Sequence, residues 1–323
     1  MATDGGNTGD PPTPGSVVVL FGGMSSLPSG FPYVPSLQDT WTFDGVTWSP
    51  ASSDSTPSNR YESQAATLGK QVLLFGGLQS EMTDEGTNFD DYTEEFQDTW
   101  LFSGGAWTNP SEMTFPSGRE DAAITAFGGT SVLLFGGYDI SSQSALSDTW
   151  IYNGSVWAES TATGPGASNG FVAAAIGTKA LLFGGTNSSS GNPEEDNETW
   201  TFDGAAWTQL NPSSSPPVGS YSMSPLGSRV VLFGSPDDGT RTVTTWVFDG
   251  TDWSEVTTAH APTWRLGFMM ATLGDAVIVF GGQSSTGLVN DTWSFDGTDW
   301  KQLSPAGALP PARSDGVLVT LPL

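Results

Sequence analysis

Three Arg-x-acid triplets, Arg60-x-Glu62, Arg119-x-Asp121 and Arg313-x-Asp315, are where this sequence concentrates residues able to do chemistry. They share one equivalent position when the segments ending at Leu68, Phe127, Ile176, Leu226, Leu273 and Leu321 are aligned. Arg265 stands at the same position, with Gly267 where the acid would be. A guanidinium fork matches carboxylates and could hold an anionic substrate. Carboxylates such as Glu62, Asp121 and Asp315, once gathered, could serve as an acid/base pair for a glycoside, epimerase or lyase reaction. The competing reading is structural: each Arg pairs with one of the acids Asp39, Asp98, Asp148, Glu198 or Asp291, because a buried guanidinium needs partners. The fifth segment favours that pairing, since Val218 replaces Arg where Thr244 replaces the acid. The acids at 62, 121 and 315 have no such explanation and are the better ligand contacts.

Aromatic residues widen the options. Trp264 adjoins Arg265, and Phe31, Tyr33, Tyr92, Phe96 and Tyr138 fall in variable segments. Aromatics beside carboxylates suit a sugar, whose apolar face stacks while its hydroxyls donate, and equally suit a protein partner. Metal chemistry has little to work with. His260 is the single histidine and cysteine is absent, which removes thiolate and His-rich centres and leaves a Ser-His-Asp triad without a supporting motif. The acidic stretches 83–95 and 192–198 offer oxygen ligands, Glu194 and Asp196 among them, for calcium, but lack EF-hand spacing. No other cofactor is expected.

Charge excludes further classes. With 35 acids against 9 bases the 323-residue chain carries a net charge of −26, which repels phosphate backbones and anionic lipid. Nucleic acid is therefore not an expected partner, and no apolar run approaches the ~20 residues of a membrane helix. Residues 1–15 are rich in Gly, Pro, Thr and Asp and read as a flexible linker ahead of a domain spanning 16–323. A tether of this kind suits an extracellular or cell-surface monomer, including one anchored by lipid.

The elements that must position these residues repeat six times. An apolar run ends in Phe-Gly at Phe21, Phe75, Phe135, Phe183, Phe233 and Phe280. After each comes a Trp, at 41, 100, 150, 200, 246 and 293, followed seven residues later by a second, at 48, 107, 157, 207, 253 and 300. The local pattern is short β-strands closed by Gly, Asn and Asp, and no helical stripe is evident. Each repeat reads as four strands whose sheet cannot bury both faces alone, so the copies must stack around a ring. The chain enters at a second strand near Val17 and ends on a first strand, 314–321, which must complete blade one.

The double glycine after an apolar run, followed by spaced tryptophans, resembles the kelch repeat. That resemblance implies an all-β, six-bladed β-propeller of kelch type, four strands per blade, with blade one closed by the C-terminal strand. It also implies that the first strand is innermost, so that Arg60, Arg119, Arg265 and Arg313 ring the mouth of a central channel. Several members of the family bind acidic peptides through arginines so placed. The resulting expectation is a non-catalytic binding scaffold for a carbohydrate or protein ligand, using Arg60, Glu62, Arg119, Asp121, Trp264, Arg265, Arg313, Asp315, Tyr33 and Tyr138 on a loop-rich rim. The alternative is a carboxylate-based sugar-active enzyme with its site at the channel mouth.

Overall fold

The computed structural model describes residues 15–25, 36–81, 92–110, 115–187, 194–195 and 197–323. Six antiparallel sheets dominate it, five of four strands and one of four strands plus the short Glu194–Glu195. Blade two shows the pattern: an inner strand Gln64–Leu68, a second Gln71–Phe75, a third Thr99–Ser103 and an outer Ala106–Thr108. The inner strands of blades three to six are Ala123–Phe127, Ser168–Ile176, Gly219–Leu226 and Met269–Leu273. Blade one takes its inner strand from the chain's other end: Val317–Pro322 pairs with Ser16–Phe21, Val19 opposite Val319. Each inner strand packs against the next, and the circle closes where Val317–Pro322 touches both Met269–Leu273 and Gln64–Leu68. Among the described residues no helix is long and apolar enough to cross a membrane.

Burial follows from the repeat. The second strand of each blade is central in its sheet and covered on both faces, so VLLF-type runs are buried end to end. Six apolar clusters result, one at every junction between neighbouring blades. The second Trp of each repeat fills the junction: Trp107 sits 5.3 Å from Phe21 of blade one and Trp157 5.5 Å from Phe75 of blade two, measured between ring centroids. An indole of this kind removes ~150–250 Å² from water.

A buried indole must also place its N–H. All six do so on a threonine at the start of the third strand of the preceding blade: Trp107 on Thr40, Trp157 on Thr99, Trp207 on Thr149, Trp253 on Thr199, Trp300 on Thr245 and Trp48 on Thr292, at 2.9–3.1 Å. These bonds run once round the molecule. At one end of the channel a second set laces the inner strands, where the edge carbonyls otherwise lack a ladder partner. Thr67 donates to the Thr320 carbonyl at 2.7 Å, Thr320 to that of Thr272 at 2.5 Å, and Thr272 to that of Pro225.

Candidate functional site

Four arginines carry the frame of the opposite, loop-bearing end. Arg60 is buried and donates from both terminal nitrogens to Asp98, at 2.6 and 3.1 Å, while also capping the carbonyls of Gly76 and Ser58. Arg119 repeats this with Asp148, Arg265 with Asp291 and Arg313 with Asp39. The acid's remaining capacity takes the N–H of the first Trp of its repeat, as in Trp150 to Asp148 at 2.7 Å. Burial works to raise the Asp39, Asp148 and Asp291 carboxyls. The hydrogen bonds and charge of their arginines outweigh it, with help from the indoles, and hold all three below the usual range. The same clamp explains the double glycine. The first glycine's carbonyl meets its own blade's guanidinium, while a Cβ on Gly22 would lie 2.6 Å from the carbonyl oxygen of Arg60 in the next blade.

This geometry corrects the sequence reading of the arginines. The four do not ring the channel mouth: they are 0–3% exposed and hold their own blades together. Arg119 and Arg265 have every N–H donor occupied within the chain, so direct ligand contact is not available to them. The pairing weighed as the alternative is what the structure contains.

The acids two residues on are placed differently. They are not on the arginines' strand face: Glu62, Asp121 and Asp315 precede the inner strands in left-handed conformation, at φ of 53°, 50° and 56°. Gly170 and Gly267 hold the same place in blades four and six, also at positive φ. The backbone turns there to bond the neighbouring blade, Glu62 N–H to the Asp315 carbonyl and Asp315 N–H to that of Gly267, both at 2.8 Å. A Cβ on Gly267 would lie 2.2 Å from an oxygen of the Asp315 carboxyl, so that position must stay bare while Asp315 leans across it.

Blades one, two and three thus bring Asp315, Glu62 and Asp121 side by side on one arc of a mouth cavity of about 280 Å³. All six blades line it, and the far arc includes Gly170, Phe171, Ser220, Tyr221, Gly267 and Phe268. Cavities of about 200 and about 120 Å³ continue along the inner strands toward the threonine lacing. Glu62 is pushed up to about 9 by burial first, then by the charge of Asp121, the hydrogen bond and charge of Glu120, and Asp315. Asp121 rises to about 6 through burial and the charges of Glu120 and Asp315, and burial also raises Asp315. No basic side chain lines the cavity among the described residues.

Sequence reasoning missed Tyr221, Phe171 and Phe268 as parts of this mouth, and Glu120 as the hydrogen-bond partner of Glu62 beside it. The glycines at 170 and 267 were the available signal, because a position that is Gly in two blades of six points to left-handed backbone. Of the remaining predicted contacts, Tyr138 exchanges both backbone bonds with Glu120 at the rim. Trp264 lies under Arg241, whose guanidinium carbon is 4.7 Å from the ring centroid. Glu194 falls in the short strand Glu194–Glu195, while Tyr33, Phe31 and Asp196 lie outside the described residues, as does all but Gly15 of the predicted linker.

Residues 170–321 match the family model described as the KLHDC2/KLHL20/DRC7 Kelch-repeats domain. The fold is that of a kelch-type β-propeller. Among curated proteins the chain is similar to Kelch domain-containing protein 3 of Rattus norvegicus and of Mus musculus, at 29% identity over 187 residues, and to that of Bos taurus at 28%. The alignments cover 56% of this chain and 47% of each relative, so the match spans about half the length of those proteins.

Proposed function

We propose that this kelch propeller is a protein-interaction scaffold that receives a basic segment of its partner at the channel mouth. The observation that carries this is the arc of Asp315, Glu62 and Asp121, carboxylates held against burial and one another in a cavity with no basic lining. A structure gains nothing by holding buried acids at raised proton affinity, so the cost points to a ligand that relieves it. A lysine or arginine side chain does so: its charge replaces the missing counterion, and Phe171, Tyr221 and Phe268 offer surface to its stem.

The proton accounting makes this testable. Glu62 is largely protonated at neutral pH and must ionise to meet a cation, so binding releases a proton. Affinity for a short oligolysine peptide is expected to rise with pH from 6 toward 9 and to fall with salt, by calorimetry. Glu62→Gln and Asp121→Asn each weaken it. Equal binding of an oligoglutamate peptide, or an affinity indifferent to both substitutions, removes the proposal.

One observation favours a second reading. The proton affinities of Glu62 and Asp121 are split, about 9 against about 6, which is how an acid and a base are set on neighbouring carboxylates. Product release from a sugar panel that disappears in both variants would establish the carboxylate enzyme in place of the scaffold.

A further inference from the structure

Blade five departs from the clamp, and its departures are coordinated. In the five other blades the first Trp N–H donates to an acid at position i−2. Blade five has Thr244 at that place, Val218 at the arginine place, and Tyr221 two residues before the apolar core of its inner strand. Among the described residues three buried side-chain polar atoms find no partner within the protein, and all belong here: the Trp246 indole N–H, the Thr244 hydroxyl and the Tyr221 hydroxyl. They share one patch of the sheet. Tyr221 faces Gly234 across one ladder and Gly234 faces Thr244 across the next, while Trp246 lies two residues along from Thr244 on the same side. The Tyr221 hydroxyl comes near Thr244 without reaching hydrogen-bond geometry.

We propose that this patch is a hydrogen-bond-donor subsite of the channel mouth that takes one neutral acceptor oxygen, from water in the free protein and from a carbonyl or hydroxyl of whatever enters the mouth. Three observations fix the chemistry. The groups that converge are a pure donor and two hydroxyls, so they call for an acceptor. That acceptor stands where the other blades keep a carboxylate oxygen. It is neutral because no arginine accompanies it and because Asp238 and Glu255 already set negative charge near Tyr221. Access comes through Tyr221, which lines the mouth cavity on the arc facing Glu62, Asp121 and Asp315. The mouth then has two unlike sides, one selecting a cation and the other selecting an oxygen. A basic peptide presents both, in a side chain and in its own backbone carbonyls. This pairing rests on the scaffold reading, while the donor subsite itself stands without it.

The test is the sign of a stability change together with a resonance. If the hydroxyls are truly unsatisfied, Tyr221→Phe and Thr244→Val relieve a desolvation cost and raise the melting temperature. If they hold an oxygen, both lower it. The second measurement follows the Trp246 indole N–H in ¹⁵N spectra, assigned through Trp246→Phe, during titration with N,N-dimethylacetamide, which accepts but cannot donate. A saturable shift at Trp246 that is lost in Tyr221→Phe is expected. The double variant Val218→Arg/Thr244→Asp rebuilds the clamp and should make Trp246 unresponsive while the fold is kept. A rise in melting temperature for both single variants, or a Trp246 resonance that ignores the probe, overturns the subsite. Failure of oligolysine binding with Trp246 still responsive overturns only the basic-partner reading.

Discussion

At the scale of single residues, two sets of acids in this protein behave oppositely with pH. Asp39, Asp148 and Asp291 are held below their usual range, so the stability they contribute is present above the unfolded carboxylate pKa and is lost as pH falls through the lowered native values. Glu62 runs the other way. Its native proton affinity exceeds its unfolded one, so its contribution is intact below about 4.5 and declines as pH rises through about 9. Glu62→Gln should therefore raise the melting temperature at pH 8 by a few degrees and flatten its dependence between pH 5 and 9, a scan that calorimetry can make directly. The arginines predict a harsher result. Arg119→Ala leaves Asp148 half-buried without its counterion and uncaps Gly136, and a loss of ~3–5 kcal/mol in denaturant unfolding is expected. Arg119→Lys should recover little of it, because one ammonium cannot reproduce a two-pronged grip on Asp148 plus bonds to Ser117 and Gly136. Types and spacing made the Arg–Asp pairing readable beforehand, since Val218 and Thr244 change together. They did not reveal that residues two apart would part company, the guanidinium turning into the blade and the carboxyl toward the channel, because that depends on a left-handed residue that only Gly170 and Gly267 hinted at.

At the scale of elements, the strand and its neighbour are joined by more than apolar contact. The indole-to-threonine bond ties the outer hairpin of one blade to the third strand of the one before. Thr40→Val keeps shape but strips the acceptor from Trp107, and a loss of about 1–3 kcal/mol is expected from equilibrium unfolding, against near neutrality for an exposed threonine such as Thr298. Blades four and five, which carry Ser168 and Val218 where the others have arginine, build longer ladders in compensation: their inner strands run 9 and 8 residues where those of blades two, three and six run 5. The six repeats, their four strands and the order of those strands were legible because tryptophan spacing never varies. Ladder length was not, since it answers to the absence of a side chain that reaches across from another segment.

At the scale of the whole molecule, the ring is closed by a strand from one end of the chain laid beside a strand from the other. Removing residues 314–323 would bare the edge of Ser16–Phe21 and delete Asp315, Arg313 loses its bonded neighbour, and a truncated protein is expected to self-associate by light scattering. Closure itself was foreseeable from the order of strands at the two termini. The location of the mouth was foreseeable too, whereas its contents were not, because which side chains face a channel depends on backbone conformation at six places far apart in sequence.

The circle of indole bonds has no first member, since each blade gives one to the blade behind and receives one from the blade ahead. Gly15 and Leu323 meet there as well, the N–H of the latter on the carbonyl of the former at 2.8 Å. Where the polypeptide is cut is then arbitrary with respect to what holds it shut. With residues 1–14 removed, a short peptide link from Leu323 to Gly15 and a new opening in the connection between blades four and five should give a circular permutant that folds to the same propeller and keeps its channel.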